Sequence, residues 1–285
     1  MKLAMVMMFF GLSAVLTDVA GDCEMAGFYQ ELGCSPVQNP RNTTGCPLAY
    51  NCPGYPDSKK CYYKGTAFSD GTSIPDAMID HPCSLSCTCH SSYDGKMRFQ
   101  CAAIDCMESF EWSGNQRNCF YTYDLNTCCS TGSICGEDEI AKLKTCVVDG
   151  SIYREGQSFY PKSSHKKCIC TNQWNGSIED PRHCKDLNCG LEIHYQGYLR
   201  DRCAVVFFSS RRSCPIYFKC PSSRTIVVRQ VKSRKGGRTS RSGPLCIFGN
   251  TELNIGDRVS VDDQCTTCSC VVPPFVSCVK EMSCA

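Results

Sequence analysis

Apolar residues in this chain come in short alternating runs. Ile152-Tyr153, Ser158-Phe159-Tyr160 and Met97-Arg98-Phe99 each lie between Gly, Asn and Asp positions, a pattern of short strands separated by turns. Tyr93-Asp94-Gly95 and Trp174-Asn175-Gly176 carry Asp-Gly and Asn-Gly, the strongest short hairpin signals, so a hairpin is expected around each. Helical character is confined to residues 137–144 (EDEIAKLK). The one long apolar stretch, residues 3–16, follows Lys2 and precedes small residues. It is short for a membrane span, and predicts that residues 1–21 are a secretory signal peptide. No later run reaches about 18 apolar residues, so no membrane-spanning segment is expected.

Cysteine changes this picture from a small β protein to a covalently stapled one. The chain has 28 cysteines in 285 residues, the frequency of a disulfide scaffold. An even count in an oxidising compartment permits complete pairing. The histidines (His81, His90, His165, His183, His194) form no paired ligand set with a Cys-x2-Cys, so disulfides are favoured over zinc, and no metal or cofactor is expected. Leucine and isoleucine are thin after residue 20. The expected fold class is therefore small, disulfide-rich and mainly β, with short antiparallel hairpins and no large core. Asn42 and Asn175 head glycosylation sequons, in keeping with secretion.

The cysteine spacing repeats in two halves. One half reads Cys61-x3-Gly65-x2-Phe68-x2-Gly71, Cys83, Cys87-x-Cys89, Cys101-x4-Cys106. It returns as Cys146, Gly150, Tyr153, Gly156, Cys168-x-Cys170, Cys184-x4-Cys189, and again, shortened, as Cys246, Gly249, Leu253, Gly256, Cys265, Cys268-x-Cys270, Cys278, Cys284. In all three copies the second glycine lies ten residues after the first cysteine. The other half is Cys106, Cys119, Cys128, Cys129, Cys135 in one copy, Cys189, Cys203, Cys214, Cys220 in another, and Cys23, Cys34, Cys46, Cys52 in a third. The expected organisation is a second half alone (22–56), two complete modules in tandem (61–136 and 146–221), a basic linker (222–245) and a first half alone (246–285). Phe68, Tyr153 and Leu253 are each expected to plug a small core.

Module two has two cysteines fewer than module one. Ser164 stands where Cys83 does, and Ser213 where Cys128 does. An orphan thiol is a liability in a secreted chain, so the paired loss implies a Cys83–Cys128 bridge in module one.

These motifs resemble the von Willebrand factor type C module of chordin-like proteins. The order Cys61, Cys83, Cys87-x-Cys89, Cys101-x4-Cys106, Cys119, Cys128-Cys129, Cys135 is the family's full ten-cysteine pattern. The resemblance implies the pairs Cys61–Cys89, Cys83–Cys128, Cys87–Cys101, Cys106–Cys129 and Cys119–Cys135. It departs from the pattern in the Cys83-x3-Cys87 spacing and in lacking a tryptophan after the second glycine. It also implies an extracellular binding function, with growth factors of the bone morphogenetic protein (TGF-beta) class as partners. Candidate contact residues in the first halves are Ile74, Ile79, Tyr93, Ile152 and Trp174. The alternative is a structural matrix or spacer protein. No nucleophile elbow, HExxH or phosphate loop appears, so the chain is not read as an enzyme.

Net charge is +2, which gives no reason to expect a nucleic-acid partner. Basic residues are nevertheless concentrated between Arg200 and Arg241. Arg224, Arg229, Lys232, Arg234, Lys235, Arg238 and Arg241 lie without an intervening acid, which suggests a heparan sulfate contact or a processing site in a flexible linker.

Overall fold

A computed structural model describes residues 23–39, 45–109, 119–162, 164–208, 214–229, 243–261 and 265–281. The signal-peptide assignment therefore lies outside the described residues. The chain is small, disulfide-rich and mainly β. Its first half-module has helix α1 (Ala26–Glu31) and strands β1 (Ser35–Val37) and β2 (Ala49–Asn51). Module one carries β3 (Cys61–Tyr63), β4 (Thr66–Phe68), β5 (Ser84–Ser91), β6 (Met97–Ala103), β7 (Cys119–Thr122) and β8 (Gly132–Cys135), followed by α2 (Glu137–Ala141). Module two carries β9 (Thr145–Val148), β10 (Ser151–Arg154), β11 (Ser158–Phe159), β12 (Lys166–Ile169), β13 (Cys184–Asp186), α3 (Leu191–His194), α4 (Gln196–Arg200), β14 (Ala204–Phe208) and β15 (Tyr217–Lys219). Then come β16 (Ile226–Val228), β17 (Leu245–Phe248), β18 (Thr251–Asn254), β19 (Arg258–Ser260), β20 (Thr266–Ser269) and β21 (Ser277–Lys280).

The three first halves are built alike, which explains their spacing. Each opens on a hairpin (β3–β4, β9–β10, β17–β18) in which the first cysteine faces the aromatic or leucine plug: Cys61 opposite Phe68, Cys146 opposite Tyr153, Cys246 opposite Leu253. The first glycine sits in the two-residue turn, where positive φ suits the strands' twist. Lys64-Gly65 and Asp149-Gly150 both take it at the two central positions. The second glycine also has positive φ, and its N–H donates to the carbonyl of the second cysteine of Cys-x-Cys, at 2.8 Å in every copy (Gly71 to Cys89, Gly156 to Cys170, Gly256 to Cys270). That cysteine's N–H donates back to the residue after the glycine, at 2.9 Å. Its sulfur closes onto the hairpin through Cys61–Cys89, Cys146–Cys170 or Cys246–Cys270.

The remaining module-one bridges are Cys83–Cys128, Cys87–Cys101, Cys106–Cys129 and Cys119–Cys135. Module two has Cys168–Cys184, Cys189–Cys214 and Cys203–Cys220; the two half-modules add Cys23–Cys46, Cys34–Cys52 and Cys268–Cys278. Cys265 is also disulfide-bonded, and Cys284 lies outside the described residues. Where module one has Cys83, the Ser164 hydroxyl of module two is buried without a hydrogen-bond partner among the described residues.

The Asp94-Gly95 hairpin forms as expected between β5 and β6. Asn175-Gly176 does not make the corresponding tight turn. β12 and β13 pair, but residues 170–183 form a long loop in which the Asn175 side chain accepts from Ser177 N–H at 2.9 Å. This local side-chain turn competes with a two-residue hairpin. The sequence also missed α1, α3 and α4, whose 4–6 residues are too short to show a helical period.

The half-modules do not stand alone. Strand order β15-β14-β21-β20-β19-β16 joins module two to the C-terminal half in one six-stranded sheet, with β14 parallel to β21 and the other pairs antiparallel. The supposed linker thus begins with a strand, β16, at the edge of this sheet. On one face of β14, Val205 and Phe207 pack with Phe28, Tyr29 and Leu32 of the N-terminal half and Val272 and Phe275 of the C-terminal half. The fully buried Tyr29 hydroxyl donates to the Val272 carbonyl (2.6 Å) and accepts from Phe275 N–H (3.1 Å). Val206 on the opposite face joins a second core with Cys268, Cys278 and Leu253. Two smaller cores fill the first halves of the complete modules.

The extra bridge of module one gives a test. Cys83→Ser alone leaves Cys128 free and is expected to produce misfolded or covalently dimeric protein. Cys83→Ser with Cys128→Ser recreates the module-two arrangement and should restore oxidised monomer, measured on non-reducing gels. Equal monomer yields from the single and double variants would contradict the paired-loss argument.

Candidate protein-binding surface

The β9–β10 ribbon of module two alternates strictly. Cys146 and Tyr153 face the core, so Val147 and Ile152, opposite each other in register, face outward. They are 66% and 70% exposed. The other copies do not repeat this. In module one the same positions are Tyr62 and Ala67, and Tyr62 is covered: its N–H donates to Gln196 Oε1 at 2.9 Å. In the C-terminal half they are Ile247, half-buried, and the charged Glu252. A bared apolar cross-strand pair is thus confined, among the three ribbons, to module two.

The ribbon is held rigidly from below. Cys146–Cys170 ties β9 down, and Asp149 Oδ2 in the turn accepts from Lys162 N–H at 2.7 Å. Tyr153 stacks on Phe159 with ring centroids 4.7 Å apart, and Trp174 meets Phe159 edge-on at 5.4 Å.

The residues proposed from sequence separate on this geometry. Ile152 is on the exposed ribbon, and Tyr93 projects at the tip of the β5–β6 hairpin, 99% exposed. Ile74 is 1% exposed and packs among Cys61, Phe68 and Phe99. It is a core residue, which corrects its assignment as a contact. Ile79 is half-buried against the same cluster, and Trp174 supports Phe159 more than it faces solvent. Sequence reading missed Val147. The register opposite Ile152 was its only signal, and depends on the Asp149-Gly150 turn. Asn175 is exposed in the β12–β13 loop, as a glycan acceptor must be; Asn42 lies outside the described residues.

A second exposed apolar pair, Ile226 and Val228, lies on edge strand β16. Exposed Arg224 and Arg229 flank it, and Arg258 of β19 is in register with Val228. None of these arginines forms an ion pair among the described residues. Lys232, Arg234, Lys235, Arg238 and Arg241 lie outside the described residues.

Two clusters combine metal-ligand residue types: Cys106, Cys128 and Cys129, and Glu31, His165 and Cys189. Every cysteine in them is in a disulfide. The Glu31 oxygens accept the N–H groups of Cys189 and Leu191, each at 2.8 Å. Burial lifts the Glu31 carboxyl above its ordinary range, and those backbone donors oppose the shift. This carboxylate joins the N-terminal half to module two.

Comparisons of the chain with protein-family models, curated proteins and solved structures find no match.

Burial separates the two isoleucines experimentally. Ile74→Ala should destabilise module one by about 2–5 kcal/mol, as for a buried large-to-small change. Ile152→Ala should stay within about 0.5 kcal/mol, as for a surface position. Urea unfolding of the oxidised protein measures both, and similar losses would contradict the exposed ribbon.

Proposed function

We propose that this chain is a secreted, von Willebrand factor type C-like protein that binds a growth factor of the bone morphogenetic protein (TGF-beta) class and modulates its signalling. The observation that carries the reading is the outward Val147–Ile152 pair on a stapled ribbon. A ribbon fixed by a disulfide and a tight turn loses little conformational entropy on docking, so a small apolar face can contribute usefully to affinity. The module-one pairing, formed in the order that the resemblance implies, supports the family reading. The disulfide density supports an oxidising, extracellular location. Heparan sulfate is proposed as a second partner, on the observation that Arg229 and Arg258 meet at one end of the β16–β19 pair with Arg224 at the other, all without ion pairs among the described residues.

The growth-factor reading is tested with the secreted chain and an immobilised growth factor of this class. Wild type should bind, and Val147→Asp with Ile152→Asp should weaken binding at least about tenfold, since such a pair sits where a hot spot would. Absence of wild-type binding would favour a matrix or spacer role, and unchanged binding by the variant would remove the ribbon from the contact.

For the polysaccharide, the variant Arg224→Ala, Arg229→Ala, Arg258→Ala should elute from heparin at clearly lower salt than wild type, because exposed charges act through screened, counterion-releasing contacts. Arg258 is the discriminating position: it lies outside the basic run and joins it only through strand pairing. Co-elution of wild type and variant would sink this reading.

A further inference from the structure

Module one and the second half of module two meet at a three-residue relay. Ser84, at the start of β5, is 3% exposed. Its hydroxyl lies 2.9 Å from His81 Nδ1 and 3.1 Å from Nε2 of His194, the last residue of α3. The two imidazoles meet edge to face with centroids 5.2 Å apart. Both pack over Gly190, where a Cβ would come within 2.6 Å of the His194 ring and 3.2 Å of the His81 ring.

We infer that the His81–Ser84–His194 relay is a pH-sensitive latch between module one and the α3–α4 segment, closed at neutral pH and released in mild acid. A serine hydroxyl has one proton to give and two lone pairs. With both rings neutral, one ring donates to Oγ and Oγ donates to the other, and every group is satisfied. With both rings protonated, both facing nitrogens are donors. The buried hydroxyl proton then loses its acceptor, and two like charges share one small site.

The neighbouring groups add to this bias. Lys185 on β13 acts on His81 with the same sign. Asp80, beside His81 in sequence, is engaged by the Lys64 ammonium. Tyr195 presents its ring edge to His194. Glu192 on α3 is turned to Tyr55 and to the Lys64 N–H, away from the relay. Burial holds both histidines below their ordinary value of 6.5, with the charges of His194 and Lys185 adding to the effect at His81. The sign follows from linkage. The open form takes up protons more readily, so the latch contributes fully above about pH 6.5 and weakens as the pH falls through the lower folded values.

Other contacts cross the same boundary. Gln196 binds both backbone groups of Tyr62, Arg200 reaches the Lys60 carbonyl at 2.9 Å, and Ile193 enters the module-one core. Release is therefore a local loosening of this interface, with the disulfides of each module intact.

Hydrogen exchange on the full secreted chain at pH 7.4 and 5.0, corrected for intrinsic rates, tests the latch at the amides of residues 62–64 and 191–200. Protection should fall roughly threefold or more in wild type at pH 5.0, while amides of the six-stranded sheet stay protected. His81→Gln with His194→Gln keeps hydrogen-bonding groups but cannot acquire charge, and should abolish most of that fall. If the double variant is not secreted, His194→Gln alone should reduce it. An unchanged wild-type profile, or an equal fall in wild type and variant, would overturn the proposal.

Discussion

Each first half depends on one closure: a disulfide from the opening hairpin to the last cysteine of Cys-x-Cys, reinforced by two backbone hydrogen bonds around the second glycine. In all three copies the bridge and the hydrogen bonds join the same pair of segments. A chain with so few large apolar residues per unit cannot offset its conformational entropy by burial alone. The bridge limits the unfolded ensemble, and the hydrogen bonds fix how the hairpin lies on the strands that follow. The glycine is needed because the backbone there takes positive φ, at 77°, 88° and 95° in the three copies.

With each unit closed, the units can share apolar surface. The N-terminal half has too little core of its own, and places Phe28 and Tyr29 against β14 and the Val272–Phe275 turn. The C-terminal half adds β21 alongside β14 as a parallel partner. The two terminal segments thus share one core through module two. Parallel pairing suits β14 because it is buried on both faces.

The same sharing decides which surfaces stay available. Tyr62 of module one is engaged in contacts with α3–α4, whereas Val147 and Ile152 of module two are exposed among the described residues. Equivalent positions in homologous ribbons therefore serve different ends, one an internal joint and the other an outward apolar face. The joint also gathers two histidines around one buried hydroxyl, so what holds module one in place is coupled to protonation in a way that the outward ribbon is not.

The sequence alone determined the repeat, the fold class and the Cys83–Cys128 bridge, because cysteine and glycine spacings are local constraints and a paired loss in one copy exposes a partnership in another. It also placed Phe68 and Leu253 inside and Ile152 outside, through the alternation of short strands. It misplaced Ile74, since an isolated isoleucine in a loop carries no period and its burial depends on Phe99 and Cys61, brought there by two disulfides. It overlooked Val147 because register follows from which residues form the turn. It read residues 226–228 as linker because a three-residue strand has no pattern until β19 supplies its partner. The relay of His81, Ser84 and His194 was beyond sequence reading for the same reason. Ser84 and His194 lie 110 residues apart along the chain, and only the packing of one module on the other brings them within hydrogen-bonding distance.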